Sequence, residues 1–538
     1  MPKAPPSRSL VNIAGIVAVA TLISKVFGLV RQQAIAAVFG VGAAVDAYNY
    51  AYVIPGFLLI LLGGINGPFH SAMVSALAKR DREEAEPLVE TMTTLVGGVL
   101  LLVTLGIFAF APMLIDLVAP GLSQTEAGLE IRAIAIAQLR IMSPMALFAG
   151  LIGIGFGTLN AADHYWLPSI SPLFSSSAVL LGLGGLALSL GREITAPQYA
   201  LLGGVVLAWG TLGGAVLQWL IQIPVQWRSG LGKLRLRFNF SQPGVGDVLR
   251  VMGPATFSSG MMQINVYTDL FFASFIPQAA AALSYANLLV QTPLGIVSNV
   301  ILVPLLPVFS RLAAPEHRDE LKDRVRQGLM LTAVTMLPLS ALMMTLALPA
   351  VRVVYERFAF DQEASRLVTS VLIAYGAGMF VYLGRDVLVR VFYGLGDGAT
   401  PFRISIANIF LNALLDYWLV NAYGAPGLVL ATVGVNAVSM VLLLILLDRR
   451  LGGLPWRSWL RPFAGLVIAS VVTGGVSWAV RLGLEETLGT NGFGPQLVAL
   501  LGGGLSGLAA FSAIALRLDI PEVRLLTGQI ARKLGRSR

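Results

Sequence analysis

Residues 426–447 have the sequence PGLVLATVGVNAVSMVLLLILL, in which no side chain is charged. A helix rises about 1.5 Å per residue, so about 20 mostly apolar residues cross the hydrocarbon core of a bilayer. The stretch is long and apolar enough to do so. It therefore predicts a transmembrane helix.

The rest of the chain repeats this pattern. Of its 538 residues, 56% are hydrophobic and 12% are charged, with a mean hydropathy of +0.78, whereas soluble proteins are about 25% charged. These values predict an all-α polytopic membrane protein with fourteen transmembrane helices. The predicted spans are 10–32, 44–77, 88–118, 133–158, 167–190, 198–226, 246–275, 279–310, 327–354, 367–393, 402–421, 426–447, 461–482 and 495–516.

The composition also excludes several functional classes. The chain has no cysteine, which excludes disulfides, thiolate metal sites, iron–sulfur clusters and cysteine nucleophiles. Its three histidines are scattered and do not suggest a metal cluster. The net charge of +9 has a common cause in membrane proteins, since Lys and Arg gather in cytoplasmic loops. We therefore expect no nucleic-acid partner and no resident cofactor.

The positions of Lys and Arg predict the orientation. Of the 37 basic residues, 27 fall in the two terminal segments and the loops on the same side, 7 fall on the opposite side, and Lys25, Arg140 and Arg385 lie inside predicted spans. Positive charge marks the cytoplasmic side. Both termini are therefore predicted to be cytoplasmic.

An internal repeat divides the chain. Asp46-Ala47-Tyr48 is followed by Pro55, an apolar stretch and SALA at 75–78, and Ser284-Tyr285 is followed by Pro293, an apolar stretch and SRLA at 310–313. The spacing corresponds to six helices, which predicts two pseudo-symmetric six-helix lobes, 1–230 and 231–450, and a third part, 451–538, with helices 13 and 14 and a basic tail. Duplicated bundles are typical of transporters. The alternative is two generic proline-bent helices.

Polar residues inside the first repeat predict a substrate site. They are Lys25, Arg31, Asp46 and Asn49. Charges at membrane depth are costly unless they face a cavity or a partner, and two cations with one carboxylate suit an anionic ligand such as a diphosphate. Alternatively, Arg31 and Asp46 simply pair near the outer surface of the membrane.

A second polar set predicts a cation site. Asn412 and Asp416 share one face of a helix because they are four residues apart, and Asp269 and Thr432 lie deep in other spans. Oxygen ligands without His or Cys suit an alkali or alkaline-earth cation. The alternative is a hydrogen-bonded contact between helices.

Two further segments, 228–237 and 523–538, are basic and amphipathic. They are predicted to lie on the cytoplasmic leaflet. The positive-inside bias alone is the alternative explanation.

Several motifs together resemble the MurJ (MviN) lipid II flippase family of the MOP (multidrug/oligosaccharidyl-lipid/polysaccharide) exporter superfamily. They are SKVFGLVR at 24–31 followed by Asp46-Ala47, LNA at 159–161, MGPA at 252–255, FFASF at 271–275, and Phe392-Tyr393 with Asp397, Thr400 and Pro401. The resemblance runs from about residue 10 to 517. It implies two lobes around a central cavity and a groove formed by the last two helices.

The resemblance implies a transporter of the bacterial cytoplasmic (inner) membrane that is not an enzyme. Lipid II, an undecaprenyl-diphosphate-linked peptidoglycan precursor, would be flipped by alternating access, driven by Na⁺ or the membrane potential, with membrane lipids around a monomer. Another polyprenyl-diphosphate-linked glycan, or a drug, is the alternative cargo.

The family's functional positions can be carried over residue by residue. Arg31 and Asp46 match functionally important cavity residues, and Lys25 stands where an arginine is frequent. Asp269, Asn412, Asp416 and Thr432 match a sodium site, to which the position of Leu428 contributes a backbone carbonyl. The chain departs from the family at four positions that are usually charged, which are Leu59, Gly64, Leu288 and Gln291.

Overall fold

The computed structural model of the chain describes residues 10–64, 67–261, 263–518 and 520–524. Within these ranges the regular secondary structure is helical and no β-strand occurs. A helix satisfies its own backbone hydrogen bonds, which a membrane requires of any lipid-exposed segment. The predicted all-α class is thus confirmed. The basic tail predicted at 523–538 lies outside the described residues after Arg524.

By its internal contacts the chain forms two compact units. The first contains the described residues up to Ala281 together with Arg357–Phe360, and the second contains Ala282–Glu356 and the described residues from Asp361 onward. The boundaries predicted at 230 and 450 rest on internal similarity and not on contacts. They stay a prediction.

The first unit is built from twelve described helices and three short 3₁₀ segments. The helices are α1 (Leu10–Phe39), α2 (Ala43–Gly63), α3 (Pro68–Leu77), α4 (Arg82–Ala109), α5 (Ala111–Val118), α6 (Glu126–Met142), α7 (Met145–Ala161), α8 (Trp166–Leu190), α9 (Ala200–Leu220), α10 (Ile223–Arg228), α11 (Val245–Met261) and α12 (Ile264–Ala273). The 3₁₀ segments are Pro120–Gln124, Gly191–Thr195 and Pro197–Tyr199.

The second unit holds the remaining described helices, although the first three residues of α13 belong to the first unit. The helices are α13 (Ala279–Arg311), α14 (Arg318–Thr345), α15 (Ala347–Tyr355), α16 (Gln362–Gly394), α17 (Ala399–Tyr423), α18 (Ala425–Arg450), α19 (Trp456–Leu488) and α20 (Phe493–Arg517), with a 3₁₀ segment at Pro315–His317. α16 begins after Asp361, whose carboxylate accepts a hydrogen bond of 2.8 Å from the Ala364 amide and so caps the helix.

Twelve of the fourteen predicted spans coincide with helical segments of the described chain that are long and apolar enough to cross a membrane. A thirteenth is the pair α6 and α7, which bends by 41° at Ser143 and Pro144, between the two helices. Residues 246–275 form α11 and α12, of 17 and 10 residues, each shorter than the roughly 20 residues that a crossing needs. The fourteenth span stays a prediction.

Each unit has its own apolar packing. In the first, Met73, Leu88 and Met92 of α3 and α4 are fully buried. In the second, Ala469 of α19 and Ala515 of α20 belong to the same buried cluster as residues of α14. The last two helices are therefore part of the second compact unit.

The segment Arg357–Phe360 joins the first unit through the end of α1. The amide of Ala359 donates to the carbonyl oxygen of Ala37 over 3.0 Å. Gly40 has a φ of +56°, and a Cβ there would stand 2.4 Å from the Ala359 carbonyl oxygen. Only glycine combines this conformation with this close approach.

Candidate functional site

Two polar clusters lie within the apolar helices, one in each unit. In the first unit, α1 carries both predicted cations, with Lys25 exposed and Arg31 half-buried. Nε of Arg31 is buried and has no hydrogen-bond acceptor among the residues that the structure describes. A guanidinium carries five donors in a fixed fork. At least one of them is thus buried without a protein acceptor in the described chain.

Asp46 is bonded to backbone amides. Its side chain is buried in the first turn of α2, and Oδ1 accepts a hydrogen bond of 3.0 Å from the Ala281 amide in the first turn of α13. In the described part of the chain, Asp46 and Arg31 form no ion pair. The first amides of a helix have no partners within the helix and carry partial positive charge. Asp46 therefore acts as a cap for α13.

Asn49 bonds within its own helix. Its Nδ2 donates to the Val45 carbonyl oxygen over 2.8 Å, which fixes the side chain along α2. The substrate-binding role of Lys25, Arg31, Asp46 and Asn49 stays a prediction.

Sequence reasoning missed two tyrosines beside Arg31. Tyr48 and Tyr52 lie one turn apart on α2, and their rings stack with centroids 5.3 Å apart. The positive charge of Arg31 acts on both hydroxyl groups, and the Tyr48 hydroxyl lies 3.1 Å from Thr211 Oγ1 of α9. The four-residue spacing of the tyrosines was the signal available in the sequence.

The cluster of the second unit is rich in oxygen and closely bonded. Nδ2 of Asn412 donates to Asp416 Oδ2 over 2.8 Å, and both side chains are fully buried. From α18, the Thr432 hydroxyl lies 3.5 Å from Asn412 Oδ1 and 3.3 Å from the Leu428 carbonyl oxygen. A carboxylate, an amide oxygen, a hydroxyl and a carbonyl are thus assembled by α17 and α18, a donor set that suits a hard cation.

Asp269, the fifth residue of the predicted cation site, is half-buried on α12 in the first unit. The other four residues belong to the second unit. Among the described residues, no three His, Cys, Asp or Glu side chains gather in an arrangement that could hold a metal. Asn412, Thr432 and the Leu428 carbonyl offer oxygen donors of other kinds, to which this observation does not apply.

Asp397 shows how a carboxylate outside the spans is bound in this chain. Its Oδ1 accepts from the Thr400 amide over 3.0 Å at the start of α17, and Oδ2 pairs with Arg450 at the end of α18. Burial alone would raise the pKa of Asp397, but the hydrogen bonds from Thr400 and Arg450 hold it below its usual value.

The structure also locates the four positions at which the chain lacks the charge that the resemblance implies. Leu59 is half-buried on α2, and Gly64 follows the end of that helix. Leu288 is half-buried and Gln291 is exposed on α13. None of the four can contribute a charge to a ligand.

Comparison with solved structures defines the class. A structure described as lipid II flippase MurJ in an inward closed conformation matches with a TM-score of 0.73 and 22% identity, over 93% of this chain and 98% of that one. An inward-facing multidrug resistance MATE transporter of the MOP superfamily matches with a TM-score of 0.59 and 17% identity, over 82% and 98%. The described chain therefore has the fold that these two structures share.

The family follows from the sequence. Residues 35–497 match the family model for the lipid II flippase MurJ. A probable lipid II flippase MurJ from Synechocystis sp. is 58% identical over 535 residues, which cover 99% of each chain. The chain therefore belongs to the MurJ family, and the predicted resemblance is confirmed.

Proposed function

We propose that this protein flips lipid II across the bacterial cytoplasmic membrane by alternating access. Membership of the MurJ family over nearly the whole chain supports the cargo. The structural observation that carries the proposal is Arg31, a cation on an apolar helix whose buried Nε has no protein acceptor in the described chain. A diphosphate headgroup supplies the acceptors that such a guanidinium lacks.

In this proposal, Arg31 binds the diphosphate and Lys25 attracts it from the exposed part of α1. The Tyr48 and Tyr52 hydroxyls offer further donors beside Arg31. Asp46 does not meet the headgroup but holds α2 against the first turn of α13. The chain supplies binding and movement and is not an enzyme.

The orientation follows from charge. We propose that both termini are cytoplasmic, because the loops on their side hold 27 of the 37 basic residues, as cytoplasmic loops of inner-membrane proteins do. The protein acts as a monomer with membrane lipids around it and binds no nucleic acid.

We further propose that Na⁺ biases the cycle through Asn412, Asp416, Thr432 and the Leu428 carbonyl. The support is the set of oxygen atoms that α17 and α18 assemble. A cation bound there would contact the buried Asp416 carboxylate, and a charged residue at membrane depth is a candidate for a functional role. The membrane potential acting on Lys25 and Arg31 is a second driving force in the same cycle.

The test is a flipping assay in proteoliposomes. Purified protein is reconstituted with fluorescent lipid II, and the fraction that becomes accessible to a membrane-impermeant reagent is followed with and without an inward Na⁺ gradient. We expect flipping that is absent from protein-free vesicles. If the protein neither binds nor flips lipid II, the proposed cargo is wrong.

One observation favours a second cargo. Leu59, Gly64, Leu288 and Gln291 leave the site with less charge than the resemblance implies, which fits another polyprenyl-diphosphate-linked glycan whose sugars carry fewer charges. The same vesicles loaded with such a glycan discriminate the two. Flipping of that glycan in preference to lipid II would support the second cargo.

A further inference from the structure

Residues 231–242, which join α10 to α11, run across α4 without forming a helix. We call them the strap. Leu231 is buried among residues of α4 and α11. Gly232, with a φ of +107°, lies so close to α4 that a Cβ would stand 3.1 Å from Val89 Cγ1. The strap therefore begins in close contact with the helix.

One buried carboxylate holds the strap. Glu90 of α4 is 1% exposed. Its Oε1 accepts a hydrogen bond of 3.1 Å from the Lys233 amide, and its Oε2 pairs with Arg237 Nε over 3.1 Å. One turn further along α4, Thr94 Oγ1 accepts a hydrogen bond of 3.0 Å from the Arg237 amide. Both carboxylate oxygens are thus occupied by the strap.

The strap alternates in chemistry. Its even positions from 234 to 240 are Leu234, Leu236, Phe238 and Phe240, all exposed, with Leu236 at 79% and Phe238 at 69%. Lys233, Arg235 and Arg237 stand between them. In an extended chain, successive side chains point to opposite sides. The backbone amide of Lys233 and the side chain of Arg237 bond to Glu90, whereas the four apolar side chains at the even positions are exposed.

An exposed row of four large apolar side chains indicates an interaction surface. The surface begins six residues after the candidate membrane span Pro197–Arg228, and its interleaved charges are positive. Apolar side chains beside Lys and Arg are the pattern of segments that lie in the boundary between headgroups and acyl chains. Anionic phospholipids attract such charges on the cytoplasmic side.

We propose that the strap is a membrane anchor. Leu234, Leu236, Phe238 and Phe240 enter the headgroup boundary of the cytoplasmic leaflet, and the exposed side chain of Lys233 contacts anionic phospholipid phosphates. Glu90 keeps the apolar side turned to the lipid. The cytoplasmic part of α4 and the start of α11 are thereby held at the membrane surface.

The absence of native cysteine makes single-cysteine labelling specific. Leu236→Cys and Phe238→Cys, with Arg235→Cys as the matched control, are labelled with an environment-sensitive fluorophore in nanodiscs that hold one copy each. We expect a nitroxide placed high on the lipid acyl chain to quench positions 236 and 238 about threefold more than position 235, and aqueous iodide to show the reverse order.

The role of the positive charge on the strap is tested by varying the lipid composition. Discs of phosphatidylcholine alone are compared with discs that contain phosphatidylglycerol. Quenching at 236 is expected to rise with the anionic lipid. High salt should reduce that rise, because the Debye length falls from about 10 Å at 0.1 M to about 3 Å at 1 M. Equal quenching in both lipids would overturn the role of Lys233.

The role of Glu90 is tested by Glu90→Gln, with the exposed Glu84→Gln of the same helix as control. A spin label at position 236 should become more mobile only in the Glu90 variant. The proposal is overturned if iodide reaches 236 as readily as 235 and lipid nitroxides quench neither. It is also overturned if 236 is shielded only when two copies share a disc, since a second copy would then cover the surface.

Discussion

The polar cluster of the first unit and that of the second solve the same problem in different ways. In the second unit, Asn412 and Asp416 bond to each other and meet Thr432, so that several oxygen atoms gather at one place. In the first, Arg31 keeps a buried donor for which the described chain offers no acceptor, while Asp46 bonds to backbone amide. In the proposed function, the cluster of the first unit binds an anion and the cluster of the second unit binds a cation.

The largest effect is expected for Arg31→Ala. A hydrogen bond to a charged group is worth about 1.5–3 kcal/mol, and about 1.4 kcal/mol corresponds to a factor of ten, so flipping should fall by about ten- to a hundredfold. Arg31→Lys keeps the charge without the fork and should lie between. The measurement is the initial flipping rate in proteoliposomes, with the exposed Lys79→Ala as control. If Arg31→Ala flips lipid II at the wild-type rate, Arg31 does not form an anion site.

Asp416→Asn tests the polar cluster of the second unit. The amide keeps a hydrogen-bonding group beside Asn412 but removes the charge that a cation would neutralise. Wild-type protein should gain up to about 2.7 kcal/mol of stability when Na⁺ is at a hundred times its dissociation constant, and the variant should gain almost none. Thermal unfolding in NaCl against KCl measures this. The control is Asn421→Ala, an exposed position near the end of the same helix. A Na⁺-induced shift in Asp416→Asn equal to that of wild type would contradict the cation site.

Asp46→Ala is expected to cost about 1–3 kcal/mol of stability, because the amide of Ala281 is left without its acceptor. Asp46→Asn keeps an acceptor and should cost less. Thermal unfolding in detergent measures both. A variant with unchanged stability but no flipping would show that Asp46 meets the headgroup, which would make the two clusters more alike than the structure indicates.

Asp397→Asn should have the smallest effect, about 0.5–1 kcal/mol, as expected for a weakened helix cap. Because the folded chain holds the pKa of Asp397 below its usual value, this carboxylate stabilises the fold above pH of about 4. That stability is lost as pH falls through the lowered pKa. The free energy of unfolding, measured between about pH 3 and 7, should therefore depend less on pH in the variant than in the wild type. Equal pH dependence in both chains would show that Arg450 and Thr400 contribute nothing through this group.

The helical segments and the second cluster could be predicted from sequence because their signals are local. Apolar length predicts a span, and the four-residue spacing of Asn412 and Asp416 places them on one helix face. The two helices within 246–275 could not be told from one span, because the break near Gln263 lies inside a stretch of span length.

The partner of Asp46 could not be predicted. Its acceptor atom meets a backbone amide 235 residues away, and every residue except proline carries such a group, so no side chain in the sequence signals the contact. The same holds for the strap, where Glu90 binds the amide of Lys233. The sequence shows which side chains are polar or charged, but it does not show which backbone amides will bond to them.

The four residues Arg357–Phe360 bear on the order of synthesis. Domains of a growing chain tend to fold as soon as their residues are available. The first compact unit, however, includes a segment that the ribosome reaches only after most of α13, α14 and α15 have been made. The contact of Ala359 with the end of α1 must therefore form late, after three of the second unit's eight described helices have been made.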